Sequence, residues 1–548
     1  MNLQQKKLKK PFDTVSNITC VFLWLFFLMW VVIPLLMVLS TATKADFKEF
    51  FSSVRFLSAL KNTFIECICS TAVSVFVGFV YAYAIVNGNI PFKKFFAAIP
   101  VVHMVTPPFV GGLSFILLFG RQGFITKTVL GLDISLYGFP GLLLSQILCF
   151  FPIAYLICSQ TLQGINSSME QAAKSLGASR WKIFKSITLP LSLSGITSSA
   201  LFIAASVLSD FGNPLIVGGR FKVLAVEIYT QLTGWLNSGI SSLLGLILLI
   251  PSVILFILQN KLMKKNSHQF ATIGGKTNSF SASKNSVSKP VKILLTIFCS
   301  FFSILILAQL FSIIAGTFQK LWGVDSSFTL NHIKSIWRYS PLLFNSIIFA
   351  FFSAIVATFI ACLIAYFSER TKIPAAKQLN VVCQLPSAIP GTLMGLALSY
   401  FSNYFRIHSS PLLIIIAMII SYLPFSYRIC SSTFAKIKIN LDDASCSLGS
   451  GKITTLKNII APLSAGGLFS SFMYNFVRGV GTLSSVIFLV SFNTSLASVK
   501  ILNLAEQGDW GKSAALALVL TLITFIILAI GKYFSGRLES SKWKNQQV

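Results

Sequence analysis

The chain has 548 residues, 54% of them hydrophobic and only 11% charged, too few charges to cover the surface of a soluble protein of this size. Its formal charge of +29 would suit nucleic acid, but the cations divide unevenly around the apolar runs: of 44 Lys and Arg, about 29 fall on one side and about 14 on the other. That asymmetry is the positive-inside bias of a membrane protein; it argues against a nucleic-acid partner and puts the basic N-terminus (Lys6, Lys7, Lys9, Lys10) in the cytoplasm.

Apolar runs of about 20 residues, the length needed to cross the hydrocarbon core, recur along the whole chain. The first, Ile18 to Ser40, is longer than a signal-peptide core and no small-x-small cleavage site follows it. Further spans are expected near 62–87, 95–120, 138–163, 193–218 and 240–260. Residues 261–290 are rich in Lys, Ser and Asn and read as a cytoplasmic linker. A second set follows near 291–315, 341–368, 377–400, 410–430, 465–490 and 512–533. The expected architecture is all-α, with about twelve transmembrane helices in two tandem halves, 1–260 and 291–548. An even number of spans puts both termini in the cytoplasm, in agreement with Lys542 and Lys544 in the tail.

The ten cysteines lie mostly within apolar spans and include no CxxC pair, the closest spacing being Cys67 and Cys69; they read as small apolar helix residues. The histidines at 103, 268, 332 and 408 are scattered, so spacing reveals no metal cluster and leaves any metal site unknown. Gly275-Lys276-Thr277 looks like the end of a phosphate loop, but Phe270 stands where its first glycine is required; Gly451-Lys452-Ile453 fails likewise, with Cys446 in that place. The chain has no recognisable ATPase site and no cofactor of its own.

The most informative segment lies between the fourth and fifth spans: Ser168, Glu170, Gln171, Ala172, Ala173, Leu176 and Gly177, then Leu189-Pro190. Its counterpart between spans ten and eleven reads Asn440, Asp442, Asp443, Ala444, Ser445, Leu448 and Gly449, then Ala461-Pro462. Glycine and proline are 13 residues apart in both copies (177 to 190, 449 to 462), and the copies are 272 apart (177 to 449). A period close to half the chain indicates duplication. Ser168, with Gln171 three residues on, can cap a short helix, and Asn440 with Asp443 can do so in the second copy. The glycines allow a left-handed ending, and a second short helix leads to the proline and back into the membrane. Each copy is a compact helix-turn-helix whose small Ala residues let another protein approach closely.

These paired segments resemble the EAA loops of binding-protein-dependent ABC importer permeases, in which Glu-Ala-Ala is followed four residues on by Gly and then by a hydrophobic-Pro pair. The resemblance covers nearly the whole chain. It implies a type I, MetI-like fold in each half and loops that dock on a separate ATPase through Glu170, Gln171, Ala172, Ala173, Gly177 and Pro190, and through Asp442, Asp443, Ala444, Gly449 and Pro462. Gln171 and Asp443 stand at the Glu position, Ser445 replaces the second Ala and Ala461 replaces Leu. The implied partners are two ABC ATPase subunits, which use the ATP, and a periplasmic or lipid-anchored binding protein, with the chain embedded in lipid of a bacterial cytoplasmic membrane.

Three further segments are similar to fused ferric-iron importer permeases, a branch that also holds aminophosphonate and thiamine permeases: Pro107 to Arg121, Ser209 to Tyr229, and Arg478 to Leu489. Ferric iron prefers anionic oxygen ligands. Acids in or beside spans are therefore pathway candidates, namely Glu66, Asp210 and Glu227, although Asp210 and Glu227 also suit a structural or interfacial role. Arg478, read as the lone cation inside a span, is expected either to pair with an acid or to line the pathway, where it would suit an anion or an iron–anion complex. Pro107-Pro108 with Gly111-Gly112, and Pro386, Pro390 and Gly391, interrupt spans three and nine at corresponding places, as helices around a translocation path often are. A 6+6 secondary transporter would explain the spans but not the paired loops, and a membrane enzyme lacks any catalytic cluster.

Overall fold

The computed structural model describes residues 14–131, 136–273, 287–371, 373, 375–407 and 411–544. Lys6 to Lys10, Gly275-Lys276-Thr277 and His408 lie outside the described residues.

The first half opens with α1 (Val15–Thr41), α2 (Val54–Val86) and a pair of shorter helices, α3 (Lys93–Val105) and α4 (Pro108–Phe119). It continues through α5 (Phe139–Gly164), α6 (Ser167–Ser175), α7 (Arg180–Leu208), α8 (Gly212–Val217), α9 (Leu224–Tyr229) and α10 (Ser238–Ile273). The second half opens with α11 (Lys289–Phe318), a hairpin of β1 (Gln319–Leu321) and β2 (Asp325–Phe328), and α12 (Asn331–Arg370). Then come α13 (Ala376–Ala388), α14 (Gly391–Tyr404), α15 (Pro411–Phe434), α16 (Asn440–Ser447), the helical stretch 452–463, α18 (Ala465–Val480) after α17 at its start (Lys452–Thr455), α19 (Ala497–Glu506) and α20 (Trp510–Lys544).

Among the described residues nine helices are long and apolar enough to cross a membrane, ten if the bent α13–α14 pair is one span. The difference from twelve falls at three places. The span expected near 95–120 breaks at Thr106-Pro107, where both residues are extended (ψ 139° and 138°) because each precedes a proline. The span near 377–400 bends by 103° at the same kind of break before Pro390. The span near 465–490 is helical only to Val480. Hydropathy sees an apolar run in each case; in the first two it is blind to the missing proline N–H, and in the third the helix stops at Gly481.

Duplication is visible in the packing. Pro152 and Pro424 both sit inside helices, 272 residues apart. Gly195 on α7 presses on Thr161 of α5, and Gly467 on α18 presses on Thr433 of α15, again 272 apart; an added Cβ at either glycine would overlap the threonine side chain. Further upstream the offset is 283: Phe92 and Ala375 both start helices with a left-handed residue (φ 53° and 63°), and the proline breaks at 107 and 390 correspond. The first half therefore has 11 more residues between its third and fourth spans (283 against 272), in the connection from Gly120 to Gly138. Gly467→Ala should cost about 1–3 kcal/mol by overpacking. Thermal melting should show that loss, and adding Thr433→Ala in the same chain should recover most of it.

The first helix of each half packs on the other half. α1 lies against α12, α13 and α14, with Leu23, Phe27 and Val31 buried there and the Trp30 ring 5.2 Å from Phe401. α11 lies against α2, α3 and α4 as well as α20, and its Ser303 Oγ meets the Tyr81 hydroxyl of α2 at 2.9 Å. Two matched clasps hold the segments that follow α7 and α18. Thr63 Oγ1 accepts from the Leu224 N–H (2.9 Å) and Asn62 donates to the Lys222 carbonyl (2.9 Å). Ser346 Oγ accepts from the Ala497 N–H (2.9 Å) and Asn345 donates to the Asn493 and Ser495 carbonyls (3.2 Å each).

A central cavity and two matched loops

The two helix-turn-helix loops close in the same way. In the first, the N–H of Gly177 bonds the Lys174 carbonyl (3.0 Å) and that of Ala178 bonds Ala173 (3.0 Å); in the second, Gly449 bonds Cys446 (3.0 Å) and Ser450 bonds Ser445 (3.1 Å). Both glycines are left-handed, at φ +79° and +82°, which completes a Schellman ending in each copy. That ending leaves the preceding leucine pointing outward: Leu176 is 88% exposed and Leu448 87%. Ala172, Ala444, Gln171 and Asp443 are exposed beside them, Ala173 is half-buried, and Pro190 and Pro462 stand at the start of the returning helices.

The caps differ from expectation. Asn166 caps the first loop helix by accepting the Ser168 N–H (3.0 Å), in place of Ser168 with Gln171. The second loop helix has no side-chain cap, so neither Asn440 nor Asp443 serves as one. The acids beside the exposed positions turn inward instead. Glu170 is buried and accepts a hydrogen bond from Thr188 (3.0 Å). Asp442 accepts from Arg370 Nε (2.9 Å) and Nη2, while the same guanidinium donates to the carbonyls of Phe434 (2.8 Å), Ile437 (2.9 Å) and Lys438 (3.1 Å).

Between the halves lies a cavity of about 340 Å³. The broken spans line it through His103, Thr106 and Pro107 on one side and Pro386, Ile389 and Gly391 on the other, with walls from α5, α7, α15 and α18. Both proline breaks thus face open space, where freed backbone groups are tolerated. Asp210 and Arg478 line the cavity, as does Arg428 of α15. Arg478 is therefore not the lone cation within a span, because Arg428 sits inside Pro411–Phe434. Arg478 has Tyr474 and Tyr422 for neighbours, and among the described residues no salt bridge to an acid is formed by it.

Glu66 and Glu227 do not reach the cavity wall. Glu66, fully buried, stands one hydrogen bond behind it: Gln146 Nε2 donates to Glu66 Oε1 (2.7 Å) and to Asp210 Oδ2 (3.0 Å), with Gln146 itself fixed by Ser70 (2.7 Å). Asp210 also accepts from Asn213 Nδ2 (2.9 Å) and from the Asn213 backbone N–H (3.4 Å), so it is a half-buried carboxylate held by hydrogen bonds at the cavity wall. Glu227 is 1% exposed and pairs with Arg55 (2.8 Å) through both of its oxygens. A buried carboxylate needs such a partner; Glu227 has the structural role, as part of the clasp on α2. Gln146 and Arg428 went unmarked in the sequence, where a lone Gln in an apolar run and an Arg near a span end carry no pattern. Among the described residues no three of His, Cys, Asp and Glu come together in a way that would hold a metal ion.

A family model described as "binding-protein-dependent transport system inner membrane component" matches twice, at 74–268 and 357–540. The chain is 31% identical over 457 residues to the ferric transport system permease protein FbpB of Actinobacillus pleuropneumoniae, covering 81% of this chain and 66% of that one. It is 31% identical over 506 residues to the putative ferric transport system permease protein FbpB 1 of Haemophilus influenzae, covering 88% and 78%. A 160-residue stretch is 29% identical to the molybdenum transport system permease protein ModB of Escherichia coli, covering 28% and 69%. With two family domains, paired loops and many apolar helices, the chain is a multi-pass membrane protein that belongs to the binding-protein-dependent transport system inner membrane components and holds both halves of such a permease in one polypeptide.

Proposed function

We propose that the chain forms the whole conduit of an ATP-driven importer of ferric iron. Each half presents one loop to a separate ABC ATPase, so one copy works with two ATPase subunits and binds no ATP itself. An extracytoplasmic binding protein delivers the iron to the face that carries the β1–β2 hairpin and the exposed Trp337. Both termini and the 261–290 linker lie in the cytoplasm, with 1–260 and 291–548 as the two units. The observation that carries the reading is 31% identity to ferric transport permeases over 81% and 88% of the chain, supported by the matched exposed leucines that a motor could grip.

Radiolabelled ferric iron should accumulate in vesicles only when the ATPase, ATP and the binding protein are all present. Uptake that runs on a proton gradient without the ATPase would overturn this reading in favour of a secondary transporter. A second reading, import of another small anion, is favoured by the two cavity arginines; it predicts uptake of that anion with iron absent.

A further inference from the structure

The cavity is charged unequally. The second half contributes Arg428 and Arg478, and the first half contributes the carboxylate of Asp210. Asp210 is already engaged by Gln146 and Asn213 on its own side. Among the described residues neither arginine forms a salt bridge. Arg428 keeps Nε and Nη2 buried without a hydrogen-bond partner. Those two nitrogens form the side-on fork of a guanidinium, whose parallel N–H groups match two oxygens of a carboxylate or phosphate. The same fork of Arg370, elsewhere in this chain, is filled by Asp442. A buried, unfilled fork is costly to maintain. Tyr474 lies next to both Arg428 and Arg478 and so joins them into one site. Ser484 and Ser485 add hydroxyls to the same lining.

We propose that Arg428 and Arg478 form an oxyanion site, and that cargo passes the cavity bearing a carboxylate- or phosphate-type ligand. For iron this means transit as a ferric–oxyanion complex and not as a bare cation. Only the identity of the metal rests on the ferric reading above; the oxyanion site stands on the cavity itself. Arg428 offers its fork to two oxygens once the side chains packed over Nε and Nη2 move aside, and Arg478 supplies the second charge. The arrangement would repel an unliganded trivalent cation, since two guanidiniums face one carboxylate that is already hydrogen-bonded.

The purified full chain in lipid nanodiscs should be titrated calorimetrically with inorganic phosphate and with citrate, against chloride at equal ionic strength. Saturable binding of at least one oxyanion is expected. Arg428→Gln and Arg478→Gln should each weaken it about tenfold or more, as loss of a charge-assisted pair does. Arg428→Lys, which keeps the charge but loses the fork, should fall between. Melting in chloride identifies any variant that fails to fold, and the wild-type titration then decides alone. Oxyanions binding no better than chloride, or both Gln variants binding like wild type, would overturn the site. Cellular uptake separates the two readings. Iron uptake without oxyanion binding leaves the ferric importer standing and removes the site. Oxyanion binding with uptake of labelled phosphate in place of iron keeps the site and removes iron as the cargo.

Discussion

Leu176→Glu combined with Leu448→Glu should abolish the proposed ATP-driven uptake while the protein remains in the membrane at its normal level. Both leucines are almost fully exposed, so the folded chain loses little when they change. A large apolar side chain held out by a rigid turn, at the same place in both halves, is a ready anchor for a partner. Seating one leucine in a docking pocket contributes about 2 kcal/mol, and a buried glutamate there would add a desolvation cost. Losing two such anchors should lower ATPase association, and with it uptake, by well over about tenfold. Bulk or charge at Ala172 and Ala444, exposed on the same helices, should act in the same direction by blocking close approach. Co-purification of the ATPase and iron uptake are the two readouts; wild-type values of both in the double leucine variant would remove the docking assignment.

Arg370→Ala should be the most destabilising single change near the loops. The guanidinium is 4% exposed and Asp442 13%. It satisfies the last carbonyl of α15, at Phe434, and the Ile437 carbonyl in the turn beyond it, as well as the acid, the place where a helix end is otherwise left with orphan acceptors. Removing it strands the Asp442 carboxylate, at a cost of about 3–5 kcal/mol. A lower melting temperature is expected, with hydrogen exchange quickening first across residues 435–450. Glu170→Gln in the first loop should be far milder, about 1 kcal/mol, because only the Thr188 hydroxyl is affected. Equal losses from the two changes would contradict this account.

Much of this was legible in the sequence because it is local or periodic. Apolar runs placed the spans, prolines marked the breaks at 107 and 390, and the spacing of Gly177 and Gly449 located both loops and their left-handed turns. What escaped depends on which surfaces meet. Exchange of α1 and α11 between halves leaves no trace in hydropathy, since a helix apolar on every side packs equally well on either neighbour. The clasp of Glu227 on Arg55 joins residues 172 positions apart, and an acid near a span end reads the same whether paired or exposed. Capping differs for a local reason: Asn166 is a better-placed oxygen than Ser168, and in the second copy the helix begins at Asn440 itself, with Ile439 at the cap position. Arg428 was counted among flanking charges because a single cation near a span end says nothing of the cavity it lines. The exposed leucines were masked by their own hydrophobicity.

A permease made of two identical subunits has a two-fold axis through its pore, and on that axis any field across the path must vanish. Fusion lifts that constraint. Here the residues that correspond to Arg428 and Arg478 in the first half, 272 positions earlier, are Leu156 and Ser206, while Asp210 corresponds to Thr482. One wall is cationic and the facing wall holds the carboxylate. Such a chamber has a transverse dipole, so a cargo with a positive centre and a negative ligand meets it in one preferred orientation. The two halves then share the motion but divide the recognition.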